Sequence, residues 1–174
     1  MSAVIDSHHD DHHHGPAKGF SRWLYTTNHK DIGSMYLWFS LVMLFIGGAM
    51  AMVIRAELFE PGSQIVSPEF YNQMVTNHGL IMVFGVIMPA FVGFANWMIP
   101  MQIGAPDMAL PRLNNLSFWI LPVAFGILLS TFFMEGGAPN FGWTFYAPLS
   151  TEYAPPTVTF FIFSVHIMGA SSIM

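Results

Sequence analysis

His78 is an ionisable imidazole at the head of an apolar run, Gly79 to Pro106, that carries no charged side chain. At a membrane-helix end such a group is expensive unless it binds something, and neutral imidazole is a common metal ligand. At ~100° and ~1.5 Å per residue, Met82, Gly85, Pro89, Gly93 and Asn96 fall close to the line of His78, and Asn96 returns to its azimuth ~27 Å away. One stripe therefore joins a possible metal ligand to a neutral amide across a membrane thickness. Gly85 and Gly93, with Gly47 and Gly48 on the preceding run, either let helices approach closely or leave room for a planar macrocycle beside the imidazole.

The elements that must carry these groups are membrane helices. Aliphatic, aromatic and sulfur residues make up 53% of the 174 residues and charged ones 9%, where about a quarter of a soluble domain is charged. A net charge of −5 with only 5 Lys plus Arg excludes a nucleic-acid surface. The absence of cysteine excludes disulfides and thiolate sites and leaves 8 histidines as metal ligands. Four apolar runs, Ile32 to Ile54, Gly79 to Pro106, Leu116 to Met134 and Thr157 to Met174, each approach the ~20 residues that span a bilayer. The expected fold is all-α, with transmembrane helices at about 32–54, 79–100, 116–134 and 157–174. The first run is too long for a signal-peptide core and lacks a cleavage site. The fourth reaches the last residue without a polar exit, as in the front piece of a longer polytopic protein.

Lys18, Arg22 and Lys30 precede the first run and Arg112 follows the second, whereas Arg55 faces Glu57, Glu60, Glu69, Glu135 and Glu152 in the alternate loops. The positive-inside bias puts the amino terminus in the cytoplasm, with His78 and Arg55 near the outer surface and Asn96, Asp107 and Asn114 near the inner one. Residues 1–22 form a disordered, cytoplasmic tail, in which His8, His9, His12, His13 and His14 surround Asp10 and Asp11; residues 23–174 form the membrane domain. Between the second and third runs, Pro100, Gly104, Pro106 and Pro111 shape a loop. The segment from Glu135 to Pro156, dense in Gly, Pro and aromatics, suits a compact lid at the interface. Tyr36, Ser40, Met43 and Gly47 share one face of the first helix.

Several motifs in order carry a family resemblance: Thr27-Asn28-His29-Lys30-Asp31-Ile32-Gly33, Arg55-Ala56-Glu57-Leu58, His78-Gly79, Ile103-Gly104-Ala105-Pro106-Asp107-Met108-Ala109 and Pro111-Arg112-Leu113-Asn114-Asn115. From Trp23 to Met174 the chain resembles subunit I of a haem-copper terminal oxidase of the cytochrome c oxidase type, the first four of that family's twelve helices. The resemblance implies that His78 is one axial ligand of the low-spin haem a, that Arg55 hydrogen-bonds its formyl group, and that Trp143 lies near the propionates of the second haem. It implies an outer calcium or sodium site at Glu57, Gly62 and Gln64. It also implies a D proton pathway entered at Asp107, narrowed by Asn96 and Asn114, and lined further by Tyr36, Ser171 and Ser172. Of the two adjacent serines, at most one points along the stripe of Ser164 and Met168. His166 is read as structural, bonded to a neighbouring helix, and His29 as a non-ligand of the inner-surface motif.

The implied whole enzyme sits in the bacterial cytoplasmic membrane. It takes electrons from cytochrome c, passes them through haem a to a haem and copper centre, reduces dioxygen to water and pumps protons. The remainder of subunit I and oxidase subunits II and III are its implied partners, and no catalytic residue falls within these 174 positions. A quinol oxidase of the same superfamily and a haem-free membrane scaffold are the rival readings.

Overall fold

The computed structural model describes residues 19–174, so the histidine cluster of the tail lies outside the described residues. Among the described residues every regular element is helical. A short α1 (Phe20–Tyr25) leads into α2 (His29–Glu57). Next, α3 (Pro68–Leu80), a π-helical segment (Ile81–Ile87) and α4 (Met88–Ile103) run as one continuous helix. Then come α5 (Pro111–Ser130), a 3-10 turn (Thr131–Phe133) and α6 (Val158–Ile173). Three stretches are long and apolar enough to cross a membrane: His29–Glu57, Pro68–Ile103 and Pro111–Phe133. The fourth expected span is the apolar but shorter α6, of 16 residues.

Helix starts differ from the apolar runs because capping chemistry, not hydropathy, sets them. Asn28 accepts the N–H of Lys30 at 2.8 Å, which draws the polar His29 to Asp31 turn into α2. Ser67 accepts the N–H of Phe70, and Pro68 supplies the pre-set φ of a first helical residue. The second span therefore begins at Pro68, and His78 sits about 15 Å inside a helix rather than at its end. Pro111 likewise opens α5 five positions before the apolar run at Leu116. The short α1 straddles the expected tail boundary at residue 22; Arg22 clamps the Asp31 carboxylate of α2 through bonds of 2.8–3.1 Å.

In a bilayer, close van der Waals contact has to hold the helices together, since lipid is as apolar as leucine. A Cβ added to Gly33 would lie 2.8 Å from the Gly93 carbonyl oxygen, and one on Gly93 would lie 3.0 Å from that of Gly33. Here α2 and α4 touch backbone to backbone. At the other end, Gly47 accepts Met82 and Ile81 into the space a side chain would take. The pairing of 33 with 93 and 47 with 82 makes α2 antiparallel to the second span. Alongside, α5 joins through edge-to-face contacts of Tyr36 and Phe39 with Phe118 and of Phe39 with Phe125, and α6 is pinned by the Ser164 hydroxyl on the Ala124 carbonyl, 2.8 Å.

The second span does not wind uniformly. Pro89 has no N–H and its ring crowds the carbonyl four residues back. The helix answers with a π turn just before it, in which the N–H of Met88 bonds the carbonyl of Val83. Its buried line consequently runs through Gln73, Asn77, Ile81, Gly85, Pro89 and Gly93, a step of four residues throughout. In a uniform α-helix those five steps would drift about 200°. The expected straight line through His78 and Met82 is thus displaced to Asn77 and Ile81; His78 and Met82 are only partly buried.

Candidate functional site

At the end of the bundle that carries the amino terminus, five residues expected to act together are brought together. Tyr36 from α2, Asn96 from α4, Asn114 from α5, and Ser171 and Ser172 from α6 all line one cavity of about 550 Å³. The Asn114 amide donates to Asn96 Oδ1 at 2.6 Å, and Asn96 Nδ2 donates to the Val92 carbonyl at 3.0 Å. Both asparagines are buried, and this chain of donors fixes which way each amide faces. The Asn114 side-chain carbonyl is then left as an acceptor beside the cavity. Tyr36 shares a short hydrogen bond with the Ser117 hydroxyl, and the Ser171 hydroxyl donates to the Ser117 carbonyl at 2.7 Å. Ser171 is buried and Ser172 exposed, so one serine of the pair follows the Ser164 and Met168 stripe, as expected.

Asp107 is not among the residues lining the cavity; its neighbour Met108 is. The Asp107 carboxylate is partly buried and accepts the N–H of Met108 at 2.8 Å, while the N-cap position of α5 belongs to Leu110. One residue of this end escaped sequence reasoning. Ser117 lies one turn after Asn114 on the same face of α5, and that spacing was the available signal. His29 is buried and its Nδ1 donates to the Asn96 backbone carbonyl at 2.9 Å, bracing the helix turn that presents the amide.

Toward the other end, His78 Nδ1 lies 2.8 Å from the Gly47 carbonyl oxygen. A carbonyl only accepts, so Nδ1 carries the proton of this bond and Nε2 is the ring nitrogen left for a ligand. Metal-bound histidines are oriented in this way, by a hydrogen bond from the ring nitrogen that does not bind. A Cβ added to Gly48 or Gly79, the residues that follow Gly47 and His78, would meet nothing within 4 Å, so neither position is crowded by a neighbouring helix. Arg55 is exposed in the last turn of α2, eight residues or about 12 Å beyond Gly47, and forms no ion pair among the described residues.

Glu57 closes α2 with its carboxylate buried under the following loop. Oε1 accepts the N–H of Gln64, and Oε2 accepts those of Ile65 and Val66, all at 2.9 Å. Gln64 meets Glu57 through its backbone, its side-chain amide donating to the Pro61 carbonyl; Gly62 turns the loop at φ 106°. Among the described residues no cluster of three or more His, Asp and Glu side chains is assembled. The loop after α5 is clasped onto α3 by Thr76 on Gly142 and Asn77 on Pro139. Phe141 meets Phe161 edge-on and Phe145 lies tilted over it, while Trp143 is left 57% exposed. His166 is corrected: its Nδ1 donates to Ile162 of its own helix, 2.8 Å away, because a carbonyl four residues back is within its reach.

Comparison with known proteins covers nearly all of this architecture. The family described as "Cytochrome C and Quinol oxidase polypeptide I" matches residues 31–174. The cytochrome c oxidase subunit 1 of Corynebacterium diphtheriae is 46% identical over 163 residues, 91% of this chain and 29% of that protein. The corresponding subunit of Corynebacterium efficiens is 48% identical over 81% of this chain and 25% of its own length. A probable cytochrome c oxidase subunit 1-alpha of Streptomyces coelicolor is 47% identical over 82% of this chain and 25% of its own. The chain thus spans about a quarter of the curated relatives it matches.

Proposed function

Because this chain belongs to the cytochrome c and quinol oxidase subunit I family, we propose that it forms the opening quarter of the catalytic subunit of a proton-pumping cytochrome c oxidase, with its amino terminus in the bacterial cytoplasm. The observation that carries this reading is the His78 ring, held through Nδ1 by the Gly47 carbonyl, with the adjoining positions Gly48 and Gly79 uncrowded. His78 would hold a low-spin haem a from one side, the second ligand coming from sequence beyond these residues. When bound, the haem supplies a reversible one-electron couple, and the chain tunes it. Arg55 would turn its free guanidinium onto the formyl group, withdrawing electron density without titrating. Trp143 would offer an indole N–H to a propionate of the second haem, whose partner copper also belongs to the complete subunit.

At the cytoplasmic end, Asp107 collects protons and the cavity conducts them. Water enters beside Met108, meets the fixed amides of Asn114 and Asn96, and continues past Tyr36, Ser117 and Ser171. Neutral donors and acceptors suit this task because they order water without trapping a charge in the membrane. At the outer surface, Glu57, Gly62 and Gln64 would hold calcium or sodium, the cation competing with the N–H groups now on the carboxylate. Subunits II and III, cytochrome c and dioxygen complete the assembly. The names of the relatives favour cytochrome c over quinol as the electron donor.

The deciding experiment compares absorption spectra of the complete oxidase with those of its His78→Ala variant. The low-spin haem band should vanish from an assembled complex; an unchanged band rules out the ligand assignment.

A further inference from the structure

Only one side-chain hydrogen bond from another helix reaches the backbone of the π segment among the described residues: the Ser40 hydroxyl of α2 donates to the Val86 carbonyl at 2.8 Å. Ser40 is 6% exposed, so its hydroxyl has little else within reach to bond. The bond sits beside the break that Pro89 makes, since the carbonyl a proline deprives of its α-helical donor is four residues back, at Gly85, next to Val86. A proline in a membrane helix frees backbone groups that hydrocarbon cannot satisfy, and a local π turn with a hydroxyl from a neighbouring helix is how such groups are re-satisfied. Val86 lies three residues before Pro89, inside the widened turn. Around it the fit is tight: Gly85 has the Phe125 ring and Met43 at 3.0–3.3 Å from where a Cβ would stand.

We propose that Ser40 is a positioning residue: by holding the π turn open, it sets the rotation of the His78 half of the second span relative to the Asn96 half. The turn contributes one residue more than an α-turn, and removing that residue would rotate everything beyond it by about 100°. One half is fixed to α2 by the His78 bond to Gly47, the other by the Gly33–Gly93 contact and the His29 bond to Asn96. These anchors agree only while the turn between them keeps its π count. A single hydroxyl midway along α2 thus registers the haem-ligand end against the amide pair, a role that rests on the reading of His78 and the Asn96–Asn114 pair given above.

The test uses the complete oxidase carrying Ser40→Ala or Ser40→Thr, and reads both the low-spin haem midpoint potential and the rate of proton uptake. The expected result is a shifted potential and a several-fold slower uptake in Ser40→Ala, with both restored by Ser40→Thr, which keeps the hydroxyl. If Ser40→Ala fails to assemble, assembly of Ser40→Thr with parental values supports the same conclusion. Parental values in Ser40→Ala overturn the proposal, and so does a defect of equal size in Ser40→Thr, since packing rather than the donated bond would then matter. A low-spin band that survives His78→Ala would sink the haem reading instead, whichever way Ser40 behaves.

Discussion

The two ends of the bundle differ in how much of their chemistry is assembled. At the amino-terminal end, four helices deliver Tyr36, Asn96, Asn114, Ser117 and Ser171 to one cavity, and their hydrogen bonds run to each other. At the opposite end, His78 is braced by one carbonyl, while Arg55 and Trp143 face outward. A polar wall inside a membrane bundle is stable by itself only when its groups satisfy one another. A ligand site whose donors point outward instead takes its geometry from what it binds. The cavity should therefore respond to substitutions within these residues, and His78, Arg55 and Trp143 chiefly to events in the complete complex.

The largest effect that sharpens this contrast is expected at the crossing beneath the cavity. In Gly33→Val the first added carbon already lies 2.8 Å from the Gly93 carbonyl, a backbone atom that cannot move alone. Overpacking of this kind costs roughly 3 kcal/mol. Thermal unfolding of the assembled oxidase should show the loss, together with a changed cavity; unaltered stability would mean that α2 and α4 separate more freely than their contact implies. Next comes Asp107→Asn, which should slow proton uptake about tenfold, equivalent to roughly 1.4 kcal/mol in barrier, with haem spectra unchanged. Equal rates would remove Asp107 from the entry path and leave the cavity fed by another route.

The contrast also explains what sequence could and could not reveal. Helical class and three spans were legible, because apolar runs near bilayer length have few other physical meanings. The Asn96, Asn114, Tyr36 and Ser171 grouping was legible through family motifs, and the structure brings those residues to one cavity. The azimuth of His78 was not: a fixed 100° per residue cannot register the π turn that Pro89 imposes, so the predicted stripe slid by one residue onto Asn77 and Ile81. Helix starts at Asn28 and Ser67 were missed because polar caps lie outside the apolar runs. Ser117 was missed because a hydroxyl three residues from Asn114 has no motif of its own, only a shared face.

At the outer end, Glu57→Gln should weaken three hydrogen bonds by removing the charge that strengthens them. The loss should be felt locally as faster amide exchange at Gln64, Ile65 and Val66. If calcium or sodium occupies this loop, a chelator or ion replacement should change the same amides in the parent and not in the variant. Protection unaffected by either change would leave Glu57 as a plain loop clamp.

The smallest effect belongs to Ser117→Ala, and it tests whether the cavity is as self-contained as its bonds suggest. The substitution removes the hydroxyl that meets Tyr36 but leaves the Ser117 carbonyl that accepts from Ser171. Loss of one buried hydrogen bond costs about 1 kcal/mol when the partner finds no substitute. Tyr36, 2% exposed, has water from the cavity within reach, so the cost in stability should fall below that figure. Proton uptake should slow by less than in Asp107→Asn, because the chain of water gains a molecule where it loses a hydroxyl. A full 1 kcal/mol penalty with arrested uptake would show that the wall beside Tyr36 is dry, and the cavity would then end at the asparagine pair rather than pass it.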